Sequence, residues 1–325
     1  MAAATSFVGR SPAGAAIVGV GHDVPENVVV NDSIAARLGV DEDWLAVRTG
    51  TRSRHVRSAG ERLDAMAARA ATRALTSAGV DPAGVDLVLV ATTTADEMSP
   101  HAAAMVATDI GAHGAGAMDV NAACTGFLAC LTLGASLIES GRHRTVVVVG
   151  ADALYAYLDP DDRGTAMLFG DGAGAAVLTA VEGPSRLGAA RHRSDGDGRH
   201  LIRLDRDSRL IRMDGPTVYK YAVSAMTEVT REVLEDAGIG PADIDWFFYH
   251  QANARILAAV GRRLGLESEK VVNVIDEYAN TSAASLPIAL SVAYGDGRLR
   301  AGDQILLAAF GAGMVWSGMV ATWGR

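Results

Sequence analysis

An internal repeat constrains the fold of this chain more than any other feature of its sequence. Four separate landmarks recur 159 positions later, in the same order and without a gap. Ala- and Gly-rich sequence inflates accidental similarity, but four landmarks in one register are hard to obtain by chance. We therefore predict that the chain is a duplication of one structural unit. The paired segments are Ala78–Asp86 with Ala237–Asp245, Leu87–Ala91 with Trp246–His250, Asn121–Cys124 with Asn280–Ala283, and Val146–Val149 with Ile305–Ala308.

The repeated unit is predicted to be α/β. Short apolar runs typical of buried strands alternate with segments whose apolar residues recur every three or four positions, as on one face of a helix. This alternation indicates a layered α/β architecture, with one half spanning residues 1–180 and the other 181–325. The predicted helices are Leu63–Ala78, Pro100–Ile110, Thr125–Ser140, Thr217–Ala237, Ala254–Leu264 and Ser285–Tyr294. The predicted strands are Ala16–Gly21, Leu87–Thr93, Met118–Asn121, Thr145–Gly150, Gly174–Ala180, Trp246–His250, Val271–Val274, Gln304–Phe310 and Val315–Thr322.

Composition and charge exclude several classes of protein. The net charge of −9 argues against a nucleic-acid-binding protein. The two cysteines, Cys124 and Cys130, are too few and wrongly spaced for a disulfide framework or a zinc site, so a reducing cytoplasm is expected. The uncharged stretch Val120–Ile138 is long enough to suggest a membrane span. Its small and polar residues and its flanking strands favour a buried strand end followed by a core helix, so we expect no membrane association.

Three polar groups follow strands at positions that the repeat brings together. Cys124 and Asn280 occupy the loops that the duplication makes equivalent, and a pseudo-twofold axis would place these loops face to face. His250 ends a core strand of the second half. A thiol, an imidazole and an amide at one place can carry an acyl group as a thioester and stabilise an enolate beside it. The sequence therefore predicts one site shared between the two halves.

Each of these residues also has a simpler interpretation. A free cysteine is more often a buried hydrophobe than a nucleophile, and Cys130 is expected to be one. Cys124 is expected at the first turn of a helix, where unpaired N–H groups and the helix dipole favour thiolate over thiol. His250 alone could be a core histidine and Asn280 an ordinary turn residue. As a pair, they can donate two neutral hydrogen bonds to a developing oxyanion.

Other catalytic motifs are missing from the sequence or weak. The chain lacks His-Glu-x-x-His, Cys-x-x-Cys and Gly-x-Ser-x-Gly, so we expect no metal and no serine nucleophile. Gly170–Gly174 lacks the Lys-Ser/Thr of a phosphate-binding loop and is predicted to be a tight turn between core elements. No carboxylate belongs obviously to the Cys124 constellation, whereas hydrolytic sites use one to orient the histidine.

At these motifs the chain resembles the β-ketoacyl-[acyl carrier protein] synthase III family of the thiolase superfamily. The resemblance runs nearly end to end and implies a five-layered αβαβα thiolase fold, a homodimer, and no cofactor beyond the CoA thioester substrates. It implies a decarboxylative Claisen condensation of an acyl-CoA primer with malonyl-acyl carrier protein, through an acyl-Cys124 intermediate. The segments that carry it are Asp43–Gly50, Asn121–Gly126, Asp162–Thr165, Phe169–Gly174, Tyr249–Asn253, Asn280–Ser285 and Phe310–Gly313.

The resemblance also implies roles for individual residues. The backbone N–H groups of Cys124 and Ala312 would form an oxyanion hole, although the family usually has Gly where Ala312 stands. Ser99 stands where many acetyl-specific members carry a Phe that caps the partner's acyl pocket, which implies a primer larger than acetyl. The remaining roles are Trp44 and Arg163 around the CoA adenine, Arg48 at its phosphates, Asn253 at the pantetheine arm, and Arg255, Arg262 and Arg263 at the docking site of the carrier protein.

Three other functions remain open from the sequence. A relative within the fold could load Cys124 and pass the acyl group to a hydroxyl, amine or carrier-protein acceptor without condensation; such relatives often alter the Asn that is intact here as Asn280. A non-catalytic chain-length subunit would lack the nucleophile Cys124. A cysteine hydrolase would need an orienting carboxylate. Fatty acid and polyketide or other specialised pathways both fit the leading interpretation.

Overall fold

The structure, a computed structural model, describes residues 13–324 as two five-stranded sheets with helices between and outside them. Within these residues the strands are β1 (Gly14–Asp23), β2 (Val28–Val30), β3 (Ser53–His55), β4 (Leu87–Ala91), β5 (Gly116–Val120), β6 (Thr145–Ala153), β7 (Asp171–Val181), β8 (Arg191–Ser194), β9 (Ile202–Leu204), β10 (Ile211–Met213), β11 (Trp246–Tyr249), β12 (Val271–Val272), β13 (Gln304–Gly311) and β14 (Val315–Thr322). The helices are α1 (Asn31–Leu38), α2 (Glu42–Thr49), α3 (Leu63–Ala78), α4 (Ala102–Asp109), α5 (Gly126–Glu139), α6 (Gly215–Ala237), α7 (Ala254–Leu264), α8 (Ile275–Tyr278) and α9 (Ser285–Gly295).

The two sheets have the same topology, which confirms the duplication predicted from the repeat. Their strand orders are β1-β7-β6-β4-β5 and β8-β14-β13-β11-β12. In each sheet two antiparallel pairings are followed by two parallel ones. The 159-residue offset also relates the ends of α3 and α6 and the starts of α5 and α9. β7 is the last strand of the first sheet along the chain, and β8 belongs to the second.

Helices α5 and α9 lie between the sheets and form the middle layer. They share one hydrophobic core with residues of both sheets, including Phe127, Leu131 and Leu290, which are fully buried. Helices α3 and α4 cover the outer face of the first sheet, and α6 and α7 cover that of the second. The result is the five-layered αβαβα thiolase fold. No helix among residues 13–324 is long and apolar enough to cross a membrane.

The predicted tight turn at Gly170–Gly174 is wrong, because β7 begins at Asp171. The glycines instead allow α9 to pack directly on the strand: a Cβ atom on Gly174 would lie 2.8 Å from both the Ile288 nitrogen and the Pro287 Cβ. The short elements between β1 and α3 and the β9–β10 hairpin were not predicted either. Strands of three residues are too short to display an apolar period.

The two halves meet so closely at Gly150 that a methyl group there should destabilise the protein. A Cβ atom on Gly150 would lie 2.1 Å from the carbonyl oxygen of Ala283, which is backbone and cannot rotate away. We expect Gly150→Ala to cost at least about 1–3 kcal/mol, as overpacking does, and to lower the thermal midpoint. Gly261→Ala is the control: apart from its own helix backbone and chain neighbours, no atom of residues 13–324 lies within 4 Å of its Cβ position, so it should stabilise by up to about 1 kcal/mol. Equal midpoints for the two variants would contradict this packing.

Candidate active site

Two equivalent turns meet at the centre of the molecule and present the cysteine. Ala123–Thr125 precedes α5, and Ser282–Ala284 precedes α9. Each turn begins with a non-glycine residue of positive φ, 47° at Ala123 and 53° at Ser282. The Ser282 hydroxyl donates to Cys124 Sγ over 3.4 Å. The pseudo-twofold relation therefore brings the loops that carry Cys124 and Asn280 together, as the repeat predicts.

The expectation that Cys124 is a thiolate is wrong for the free protein. Burial raises the pKa of the Cys124 thiol to about 11, and the nearby Asp152 carboxylate acts in the same direction. The Ser282 hydroxyl and the backbone N–H groups of Cys124 and Ala312 oppose this shift without overcoming it. Cys124 also lies in the turn that precedes α5 rather than in the helix itself. The helix dipole therefore competes with the effects of burial and of the Asp152 charge on the pKa of the thiol. Cys124 is therefore a neutral thiol near pH 7.

This ionisation state predicts a steep pH dependence of alkylation. With a pKa of about 11, about one thiol in ten thousand is ionised at pH 7. Because the thiolate is the nucleophile, the rate of iodoacetamide modification at Cys124 should rise about tenfold per pH unit between pH 6.5 and 9.5. The measurement is the mass of the intact protein against time, with Cys130→Ala as a matched control for the buried second thiol. A rate independent of pH would indicate a thiolate–imidazolium pair and contradict the assignment.

His250 is a buried, neutral imidazole at the end of β11. Only 1% of its surface is exposed, and burial lowers its pKa to about 4. Its ring Nδ1 is buried without a hydrogen-bond partner, which leaves Nε2 as the nitrogen open to the adjoining cavity. The neighbouring Gln251 fixes the backbone here, since its side chain bonds Tyr249, Val272 and Val274. His250 can therefore donate a neutral hydrogen bond, and no carboxylate among residues 13–324 is hydrogen-bonded to its ring to make it a stronger base.

Asn280 is held rigidly with its NH₂ group available. Its backbone pairs with both sides of Phe169, through the Leu168 carbonyl at 3.0 Å and the Gly170 N–H at 3.1 Å. Its side-chain Oδ1 accepts the Ser282 N–H at 2.9 Å. Because the amide oxygen is occupied in this way, Nδ2 is the group that Asn280 can offer to a ligand. Asn280 and His250 line the same cavity as Cys124.

Two cavities meet at Cys124. One, the entry cavity, has a volume of about 470 Å³ and contains His250, Asn280 and all four residues predicted to contact CoA. The other, the acyl cavity, has a volume of about 760 Å³ and contains Ala312 but neither His250 nor Asn280. Cys124 lines both. A thioester could therefore approach the thiol from the entry cavity and leave its acyl chain in the acyl cavity.

The predicted CoA contacts lie together, but several of them already have partners. The Arg48 guanidinium lies 4.1 Å from the centroid of the Trp44 ring, so it occupies an aromatic face that an adenine could use. Arg163 donates to the Leu38 carbonyl at 2.7 Å. Asn253 caps α7 and donates to the Arg48 carbonyl at 2.9 Å. Its carboxamide therefore joins α2 to α7 in the free protein, and a pantetheine arm would have to compete for it.

The three arginines predicted to dock a carrier protein are all exposed on α7, and their docking role remains a prediction. Arg255 follows the N-terminus of α7 and lines the entry cavity, with its guanidinium 5.6 Å from the Tyr219 ring centroid. Arg262 and Arg263 are in the last turn of the same helix and line neither cavity at Cys124. Of the three, only Arg255 lies at the approach to the thiol.

Ser99 is exposed and does not line the acyl cavity of its own chain, whereas its neighbour Met98 does. The predicted effect of Ser99 concerns a partner's pocket and remains a prediction.

Asp152, a fully buried carboxylate near the cysteine, was not predicted to belong to the site. Its Oδ1 accepts the Thr93 N–H at 2.8 Å and the Thr94 hydroxyl at 3.1 Å. Its Oδ2 accepts the Ala283 N–H at 3.2 Å, and so joins β6 of the first half to the turn that carries Ser282. Burial raises the pKa of Asp152. A carboxylate within the otherwise apolar strand β6 was the available signal, because charged residues are rarely buried without partners.

A duplicated αβαβα fold with a cysteine at the junction of two cavities between its halves defines the class of thiolase-fold acyl-transferring enzymes. Comparison with known proteins then assigns the family. Models of 3-oxoacyl-[acyl-carrier-protein] synthase III match residues 118–196, and those of its C-terminal part match residues 234–323. The chain belongs to the 3-oxoacyl-[acyl-carrier-protein] synthase III family.

Individual relatives extend over nearly the whole chain. The chain is 42% identical to the β-ketoacyl-[acyl-carrier-protein] synthase III of Erythrobacter litoralis, over 93% of this chain and 97% of that protein. The solved 3-oxoacyl-[acyl-carrier-protein] synthase III of Aquifex aeolicus is 38% identical with a TM-score of 0.92, covering 95% and 100% of the two chains. The priming β-ketosynthase of a polyketide biosynthetic pathway is 33% identical with a TM-score of 0.93, covering 98% and 99%.

Proposed function

We propose that this enzyme condenses an acyl-CoA primer with malonyl-acyl carrier protein and releases CO₂ and a β-ketoacyl-carrier protein. The observation that carries the proposal is the position of Cys124 where two cavities meet, with His250 and Asn280 on one side only. Acyl transfer alone requires only the thiol. The two neutral hydrogen-bond donors beside it can stabilise the enolate that forms in a condensation. The names of the relatives, which are carrier-protein synthases, support the same reaction.

The first half-reaction loads the enzyme. The Cys124 sulfur attacks the thioester carbonyl of the primer, and CoA leaves as its thiol after taking the proton that Cys124 loses. The N–H groups of Cys124 and Ala312, both close enough to the thiol to oppose the rise of its pKa, would stabilise the oxyanion of the tetrahedral intermediate. The site therefore begins and ends this step without net charge, which suits a thiol whose pKa is raised by burial.

The second half-reaction forms the carbon–carbon bond. His250 and Asn280 donate to the thioester oxygen of the malonyl group as CO₂ departs, because the electrons of the broken bond become an enolate. The enolate carbon attacks the acyl-Cys124 carbonyl, and Cys124 leaves as a thiolate that regains a proton. A neutral His250, with its pKa lowered to about 4, stays a donor without needing to be charged.

The proposal is tested by supplying a panel of acyl-CoA primers with malonyl-acyl carrier protein and weighing the intact carrier protein. A mass gain that matches the β-ketoacyl product supports condensation and identifies the primer. Acylated Cys124 together with unchanged malonyl-carrier protein would overturn condensation and indicate transfer to another acceptor.

The primer is proposed to be larger than acetyl. The acyl cavity of about 760 Å³ far exceeds a two-carbon group, since a water molecule takes up about 30 Å³ in the liquid. Ser99, in place of a bulky Phe, acts in the same direction if it reaches the partner's cavity. The similarity to a polyketide priming β-ketosynthase supports a role in specialised priming as well as in fatty acid synthesis.

We further propose a cytoplasmic homodimer that receives its carrier protein near Arg255. Strand β5 is the edge of the first sheet, and its Met118 side chain is 43% exposed. An open edge with exposed apolar residues is a surface on which a second copy could pair. Light scattering at micromolar concentration tests this, and a monomer mass would refute it.

A further inference from the structure

The acyl cavity has an apolar wall and a cationic rim, which is unusual for a site that binds a hydrocarbon chain. Leu154, Phe169 and Ile211 are almost fully buried and belong to one small hydrophobic cluster. The β9–β10 hairpin, to which Ile211 belongs, also contributes Arg203, Arg206 and Arg209 to the same cavity. The arginines are exposed, whereas Cys124 is partly buried. The guanidinium groups therefore lie nearer to solvent than Cys124 does.

The two carboxylates of the cavity are bound mainly by other groups and offset the three arginines only in part. Asp96 pairs with Arg57 at 2.8 Å and accepts the Leu63 N–H at 2.7 Å. Asp205 accepts the N–H and the hydroxyl of Ser208, both at 2.9 Å, and so closes the hairpin turn. The bonds from Ser208, and then the nearby Arg203, lower the pKa of Asp205.

The arginines of the rim, by contrast, remain available. Within residues 13–324, no salt bridge involves Arg203, Arg206 or Arg209. Arg209 is oriented instead by Tyr157, whose hydroxyl accepts from Nη2 at 3.3 Å and whose ring centroid lies 5.4 Å away. Tyr157 also lines the cavity.

We propose that the acyl cavity selects primers whose far end carries a carboxylate, that is, the mono-CoA thioesters of dicarboxylic acids. The apolar wall holds the methylene chain that leaves Cys124, and the rim receives the distal carboxylate. Arginine suits this role because its planar fork binds a carboxylate through two parallel hydrogen bonds. This inference rests on the proposed function, because it names the primer class of the same Cys124 site.

The test compares two primers of equal chain length, hexanoyl-CoA and its ω-carboxyl analogue adipoyl-CoA. The readout is kcat/KM for acylation of Cys124, followed by intact mass without carrier protein. We expect adipoyl-CoA to be preferred at least tenfold. In Arg203→Gln/Arg206→Gln, this preference should fall at least tenfold, and it should weaken with added salt because the rim is exposed. Arg142→Gln is the control, since this exposed arginine follows the end of α5 remote from Cys124 and should keep the wild-type preference.

Other results would overturn the inference. A wild-type preference for hexanoyl-CoA would show that the rim does not bind the distal carboxylate. An equal fall in kcat/KM for both primers in the double variant would show the same. An unchanged primer preference with a raised KM for malonyl-carrier protein would assign the arginines to docking of an acidic protein. Failure of the proposed function is separate from these outcomes: Cys124 would be acylated, yet malonyl-carrier protein would remain unchanged.

Discussion

Cys124→Ala should abolish acyl-enzyme formation and lower the condensation rate by at least about a thousandfold, as loss of a covalent nucleophile does. Cys124 is the cysteine that lines both cavities, whereas Cys130 is fully buried in the core between the sheets. The measurement is incubation with acyl-CoA followed by intact mass, in parallel with the rate of β-ketoacyl product formation. Cys130→Ala is the matched control and should still be acylated at a single cysteine.

The same variant should retain one partial reaction. His250 and Asn280 line the entry cavity without using the cysteine sulfur, so the malonyl group can still lose CO₂ against these donors. With no acyl-enzyme to attack, the enolate takes a proton, and malonyl-carrier protein becomes acetyl-carrier protein. Complete loss of decarboxylation in Cys124→Ala, in a protein that unfolds at the wild-type temperature, would contradict the division of labour between the two cavities.

The repeat allowed the arrangement of the site to be predicted, because a 159-residue offset can be read without knowing any contact. It places Ala123 and Ser282 at equivalent positions, and the structure gives both a positive φ. The helices α3 and α7 have the predicted bounds because their apolar positions recur regularly and a glycine in the left-handed conformation follows each one. Long helices with a regular apolar period and the duplicated segments could therefore be predicted from the sequence.

The pKa of Cys124 and the long-range hydrogen-bond partners of the site residues could not be predicted from the sequence. The helix-dipole argument for a Cys124 thiolate is wrong because burial dominates, and burial depends on layers that come together from distant parts of the chain. The contact of Arg48 with Trp44 uses a local spacing of four residues on α2. The bond from Asn253 to the Arg48 carbonyl, in contrast, joins residues 205 positions apart. For Asp152, the sequence shows a carboxylate in an apolar strand but not its partner Ala283, which lies in the other half.

His250→Ala and Asn280→Asp should each block condensation while leaving acylation of Cys124 within a fewfold of wild type. Removing one donor from an oxyanion site costs about 10²–10³ in rate, and both residues face the cavity through which the malonyl group enters. Asn280→Asp is the sharper variant, because an aspartate oxygen can still accept the Ser282 N–H that Oδ1 accepts now. It therefore keeps the turn and replaces only the Nδ2 donor with an acceptor.

The two half-reactions separate this role from activation of the thiol. Single-turnover acylation measured by intact mass reports on Cys124, and product formation from preformed acyl-enzyme reports on the donors. If His250 were the base that ionises Cys124, acylation would fall as steeply as condensation in His250→Ala. It would also fall in wild type as the pH drops through the ordinary pKa of histidine. A pKa of about 4 for the buried ring places its protonation below that range, so we expect condensation by the wild-type enzyme to show no histidine titration between pH 5.5 and 7.5.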